Sequence, residues 1–347
     1  ALNLKDTGNA QRAFLAILYR RINYRVSNER ASQLLDMAVK AMPYRETEFP
    51  APVIPEAERL LVSINPNNAD RLKPIVFRGN GIPQDIAVSG DGQYLGIATS
   101  LGVVIYHAQT LKVIRNITSL TWVTHLTFSK NSELLAIGSL DQTVHIYQTS
   151  DWAMISEFNR HTSLVTCLAF SPDQSLLAVG TKTPVIYVWR LSDGKMMRIL
   201  EGHNDAIRSV IFSPDGSLIV SGSDDRTIRL WRGNDGFPVG ILPDHHGTVT
   251  GLAFTPDGRS LVSGSVDKTL RLWRVKDSRK LTQTIQGGFG AFNCLTLTPD
   301  GQTAVAGDEK RIWMIPLNGK TNPTAIEGHS ASVIGVAHAA DRNTVFS

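Results

Sequence analysis

Over most of the chain, apolar residues come in runs of four to seven separated by turn residues. Leu218-Ile-Val-Ser-Gly-Ser is a compact apolar run that suits a buried strand. Arg226-Thr-Ile-Arg-Leu-Trp alternates polar and apolar, as a half-exposed strand does. The Pro-Asp-Gly and Asp-Asp-Arg segments between such runs carry turn chemistry. Residues 10–42 follow a different rhythm. Ala13, Phe14, Ile17, Leu18 and Ile22 recur at helical spacing, and Leu34, Leu35, Ala38, Val39 and Met42 do so again. Ser27 or Asn28 can cap the second of these helices, and Pro43 ends it. Pro55 suits the first position of a short helix over 56–64, and Asn65-Pro-Asn-Asn makes a linker. The pattern predicts a helical extension with a Pro-containing linker over 1–70, followed by a β domain over 71–347.

The β domain is repetitive. Phe128-Ser-Lys-Asn, Phe170-Ser-Pro-Asp, Phe212-Ser-Pro-Asp-Gly and Phe254-Thr-Pro-Asp-Gly align at once. Val88-Ser-Gly-Asp-Gly and Leu297-Thr-Pro-Asp-Gly extend the series, and a seventh copy begins at His338-Ala-Ala-Asp. The steps between anchors are 40, 42, 42, 42, 43 and 41 residues. Tyr106, Tyr147, Trp189, Trp231, Trp273 and Trp313 keep the same beat. Four short strands fit into one period. A sheet that small cannot bury its own faces, and radial stacking of such sheets supplies the missing core.

These repeats resemble the WD-repeat (WD40) β-propeller family over residues 72 to 347. The likeness is strongest from Gly202-His203 through Trp231-Arg232 and from Asp244-His245 through Trp273-Arg274. The Asp of the family's Trp-Asp dipeptide is missing: Trp189, Trp231 and Trp273 are each followed by Arg. Seven repeat starts imply a mainly β, seven-bladed propeller whose last blade is incomplete, with a short α-helical N-terminal extension. Pro74–Phe77 would then pair beside 332–338 as the outer strand of the last blade. The chain starts at Ala1 and stops at Ser347 inside the seventh repeat, so it reads as a piece of a longer protein. Helices joined by a proline-bearing link to such repeats also resemble the C-terminal part of bacterial multidomain signalling proteins.

Repeat four holds His203, Ser221, Asp225 and Trp231, and repeat five holds His245, Ser263, Asp267 and Trp273 at the same offsets. Ser, His and Asp together invite a hydrolase reading. Two identical copies, the lack of a Gly-x-Ser-x-Gly elbow and an indole donor in each set argue for closed structural networks instead. The resemblance implies the same, a tetrad tying the strands of a blade together. Elsewhere the set decays. Repeat three keeps His161 but has Val179 and Thr183 in place of Ser and Asp; repeat two keeps Asp141 but has Ser119 for His; repeat six places Gly288 at the His position; His329 returns in repeat seven.

Composition narrows the picture without redirecting it. A chain that is 42% hydrophobic and 19% charged can build a core and is not disordered. The net charge of +4 is too small to argue for nucleic acid. No apolar run approaches the roughly 20 residues of a membrane span. Of nine histidines, His161, His203, His245 and His329 are accounted for by the repeat, and no spacing completes a metal site. Gly319-Lys320-Thr321 lacks the earlier glycine of a phosphate loop, because Met314 stands there, and reads as a turn in repeat six. Cys167 and Cys294 occupy equivalent places in blades across the ring from one another and should be free thiols, which suits a reducing, cytoplasmic setting.

The expected function is a non-enzymatic interaction scaffold that binds a protein or peptide, with no cofactor and no metal. The alternative is the sensor region of a multidomain NTPase or kinase whose catalytic domain lies outside this chain; an upstream effector of the same polypeptide would then be the partner. The loop before each first strand opens on one rim of the ring. Repeats four, five and seven place Ala206, Thr248 and Ser332 there, whereas repeat two has Trp122 and repeat three Leu164. Trp122, Leu164 and Arg208 are therefore the expected core of a partner site, with Leu120 and Phe289 at its edge.

Overall fold

The computed structural model describes residues 82–118, 122–276, 279–338 and 344–347. The helices expected within 10–64, the linker, the boundary near residue 70, the Pro74–Phe77 strand, Ser119 and Leu120 lie outside the described residues.

Each repeat folds into a four-stranded antiparallel meander in which every strand pairs with the next in sequence. Six such blades follow one another over 83–118, 123–158, 165–201, 207–242, 249–286 and 294–327. Among the described residues no helix occurs. The expectation of seven blades is corrected. Among the described residues the seventh repeat forms only a two-stranded sheet, Ala337–His338 with Val345–Phe346. Two rungs of pairing are not a blade, yet this wedge has a role. Val345 packs with Ile312 and Met314 of blade 6, and Phe346 with Leu95, Val104 and Tyr106 of blade 1.

The core lies between blades rather than within them. Val220, Ile228, Leu230 and Leu242 of blade 4 bury their side chains against Val249, Leu252, Leu261 and Trp273 of blade 5. Equivalent clusters fill the other gaps, such as Ala98, Val103 and Ile105 of blade 1 with Val123, Leu126 and Leu135 of blade 2. A glycine in the second strand recurs because the next blade comes too close for a side chain. A Cβ at Gly138 would lie 2.6 Å from Val165, and one at Gly222 would lie 2.7 Å from Val249. The first strands of blades 1 to 5 bulge near their start, shifting register for example between Val123 and His125, Ile207 and Ser209, and Val249 and Gly251. The two cysteines are free, and burial pushes the Cys167 thiol up to about 12.

Candidate functional site

The repeated Ser, His, Asp and Trp residues meet in blades 4 and 5. In blade 4 the Trp231 indole N–H donates to Ser221 Oγ at 3.0 Å, and Ser221 Oγ lies 2.8 Å from His203 Nε2. His203 Nδ1 stands 2.7 Å from Asp225 Oδ2, which also accepts the Asn204 N–H. Blade 5 repeats the chain with Trp273, Ser263, His245 and Asp267 at 2.8, 2.7 and 2.8 Å. In blade 4 the Asp225 carboxylate accepts the hydrogen bond from His203 Nδ1–H, so Nε2 accepts from the serine hydroxyl and the imidazole is neutral. Burial lowers the His203 pKa below its ordinary value against the pull of Asp225, and the nearby charge of Arg229 lowers it further. Burial raises the Asp225 carboxyl, but N–H and hydroxyl donors from Asn204, Thr227 and His203 outweigh it and hold it at about 2. Ser221 and Ser263 are wholly buried, so neither oxygen can meet a substrate. These networks fasten the loop before the first strand to the second and third strands.

Blades 3 and 6 fasten the same loop with other residues. In blade 3 the Trp189 N–H reaches His161 Nε2 directly at 3.0 Å, and His161 Nδ1 bonds the Gln142 carbonyl of blade 2 at 2.8 Å. Thr183 bonds Thr181 instead of the histidine. Blade 6 departs further, and two readings are corrected there. The ring on Trp313 belongs to Phe289, 5% exposed and 4.9 Å away edge-on, and not to the loop residue Gly288. Phe289 is therefore core and unavailable at the edge of a partner site. Phe289 stands eight residues before Leu297, whereas His203 and His245 stand nine before Phe212 and Phe254, so the ring that meets the indole comes from one position nearer the first strand. Trp313 donates to Asp308 Oδ2 at 2.7 Å, and Asp308 is fully buried. Asp308 was missed because it sits where blade 4 has Ser223, beside the glycine that pairs with the first strand.

The rim facing the loops takes shape from a recurring backbone bond. The residue after each second strand donates to the residue before the first strand: Ser100 to Ile82, Leu140 to Trp122, Lys182 to Leu164, Asp224 to Ala206, and Val266 to Thr248. Trp122 and Leu164 are part-exposed here on neighbouring blades. Ile82 and Leu101 of blade 1 are 38% and 39% exposed, and Leu140 is half-buried next to Trp122. Reading only the loop before the first strand misses Leu101 and Leu140, which come from the turn after the second. Blade 4 breaks the apolar arc. Arg208 Nε and Nη2 clasp Asp224 at 2.8 and 2.6 Å, an exposed fork pair beside Ala206. On the channel wall Asp85 Oδ2 bonds His125 Nδ1 at 2.9 Å and so joins blades 1 and 2, a pairing that spacing within a repeat does not reveal.

Among the described residues, no group of three or more His, Cys, Asp or Glu could hold a metal ion. No helix there is long and apolar enough to cross a membrane. Gly319-Lys320-Thr321 forms the turn between Arg311–Pro316 and Thr324–Glu327.

Repeated meanders stacked through their faces, with blades 3 to 6 each closed by a polar network on the third-strand tryptophan, define a repeat-built β-propeller. The family described as WD domain, G-beta repeat matches four consecutive stretches, 111–148, 152–190, 194–232 and 236–274. The chain carries WD40 repeats and is a WD40-repeat β-propeller. No curated protein matches it. Each matched stretch begins with the outer strand of one blade and ends with the third strand of the next, so consecutive blades are locked by chain connectivity. Propellers of this family generally serve as non-enzymatic scaffolds that bind proteins or peptides.

Proposed function

We propose that this propeller is a scaffold whose protein or peptide partner sits on the loop rim of blades 1 to 4, centred on Trp122, Leu164 and Arg208. The observation that carries this reading is the apolar arc of exposed Ile82 and Leu101 and part-exposed Trp122, Leu140 and Leu164, bounded by the Arg208–Asp224 pair. Apolar side chains grouped on a surface mark partner sites, and Trp and Arg dominate the energetics of such sites. Leu120, two residues before Trp122 in the sequence and outside the described residues, remains a candidate in this reading, whereas Phe289 is excluded by its burial.

The test is capture of partners by the wild-type chain, by Trp122→Ala, and by Phe237→Ala, an exposed residue in an outer turn of blade 4. The expected outcome is loss of the captured proteins by at least about tenfold for Trp122→Ala, in line with a central aromatic anchor, and retention by Phe237→Ala. Equal capture by a folded Trp122→Ala chain overturns the placement.

A further inference from the structure

In each blade the residue two before the third-strand aromatic lies on the same face as that aromatic. In blades 2 to 6 this residue is polar, and in four of them it is engaged. His145 Nε2 lies 3.7 Å from Glu157, and the Tyr187 hydroxyl bonds Thr162 at 2.9 Å. Arg271 Nε donates to Thr269 at 3.4 Å, and Arg311 donates to Asp308 at 3.1 Å and to the Gly288 carbonyl at 3.2 Å. Arg229 of blade 4 differs. Its Nε is shut off from solvent and has no hydrogen-bond partner, and no ion pair joins the side chain to a described residue. Arg229 as a whole is part-exposed, so its buried Nε–H is the donor left unsatisfied; such a donor is unfavourable, and an oxyanion that meets the fork through Nε removes the penalty.

The surroundings are shaped to receive one. A Cβ on Gly202, whose φ is +149°, would stand 2.8 Å from Arg229 Nη1, so the bare backbone is what lets the guanidinium lie there. Arg229 lines a cavity of about 230 Å³ together with Leu230, Trp231 and residues 238–241 of the fourth strand. Apart from Arg229 the side chains of that lining are apolar: Trp231 and Leu230 are buried, and Ile241 is 50% exposed at the mouth. We infer that this crevice on the outer part of blade 4 is a binding site for a carboxylate carried on a short aliphatic group. Arg229 takes the carboxylate through its planar fork, and Pro238, Val239 and Ile241 cover the aliphatic part. The site is separate from the loop rim, and a partner could occupy both.

The test uses the protein labelled with nitrogen-15 and follows the Arg229 Nε–H resonance during titration with isovalerate, with its neutral amide isovaleramide, and with inorganic phosphate. The expected result is a saturable shift with isovalerate, at least tenfold weaker with the amide and with phosphate. Arg229→Gln should abolish the binding, and Arg229→Lys should weaken it at least tenfold, because lysine keeps the charge and loses the fork. Both variants should unfold at or above the wild-type midpoint. Four outcomes overturn the proposal: no saturable shift, equal shifts with the amide, equal shifts with phosphate, or a hydrogen-bond coupling from Nε–H to another part of the chain in the free protein. If a variant fails to fold, the three wild-type titrations still decide.

Discussion

Blades 5 and 6 are neighbours that hold the same indole in different ways. In blade 5 the Trp273 N–H is passed through Ser263 and His245 to Asp267. In blade 6 the Trp313 N–H goes straight to Asp308, while Phe289 occupies the place of the imidazole with no polar atom to satisfy. What persists is the need of a buried indole N–H for an acceptor that is itself fully bonded. The relay divides that duty among three side chains. The substitute loads it on one carboxylate, which also accepts the N–H groups of Gly290, Lys310 and Arg311. The relay is therefore tolerant of single losses, and the substitute is not.

The sharpest way to break this comparison is Asp308→Ala. It strands the buried indole N–H and leaves three part-buried backbone donors without their acceptor, and should destabilise by about 3 kcal/mol or more, read from the urea midpoint. Asp267→Ala removes the end of the relay and leaves His245 free to keep its bond to Ser263, so a cost of about 1–3 kcal/mol is expected. If Asp267→Ala proves as costly as Asp308→Ala, the idea that the relay spreads the load fails.

Acid sharpens the contrast further. Burial raises the Asp308 carboxyl, but the donors from Trp313, Lys310, Gly290 and Arg311 outweigh it and hold the carboxyl at about 2 against an ordinary 3.8. Above pH 4 the group is charged in both folded and unfolded chains, and its contribution is complete. As pH falls through 3.8 the unfolded chain takes the proton first, so stability is lost until the folded group protonates near 2. The loss due to Asp308 should be about 1 kcal/mol at pH 3, and Asp308→Asn should flatten that part of the pH–stability curve. A curve with the same slope for both proteins would show that Asp308 does not titrate as its bonds require. The smallest effect belongs to blade 3. Thr183→Ala removes a bond to Thr181 that is no part of the indole chain, and about 0.5 kcal/mol or less is expected. A loss as large as that of Asp267→Ala would mean that Thr183 replaces the missing carboxylate after all.

Much of this was legible in the residues themselves. The period of about 42, the turn chemistry and the third-strand aromatics determine a stack of four-stranded sheets, because such patterns depend on local geometry and on which face each side chain takes. The tetrads of blades 4 and 5 were legible for the same reason, since equal spacing in two repeats puts equal side chains at equal points. Contacts that cross from one blade to the next needed the folded ring. Asp85 and His125 are 40 residues apart and meet only because blades 1 and 2 stack. Phe289 meets Trp313 from eight residues before its anchor where the histidines stand nine before theirs, and a fixed offset cannot express that. The exposed arc joins residues before a first strand to residues after a second strand, so its extent depends on pairing across the blade. Where the seventh repeat packs was likewise settled by the fold. The seventh repeat announces itself with the same anchor as the others, but pairing gives it two strands of two residues, wedged between blades 6 and 1. Periodicity fixes what each repeat wants to bury, and only the neighbours a repeat finds in space decide how it is buried.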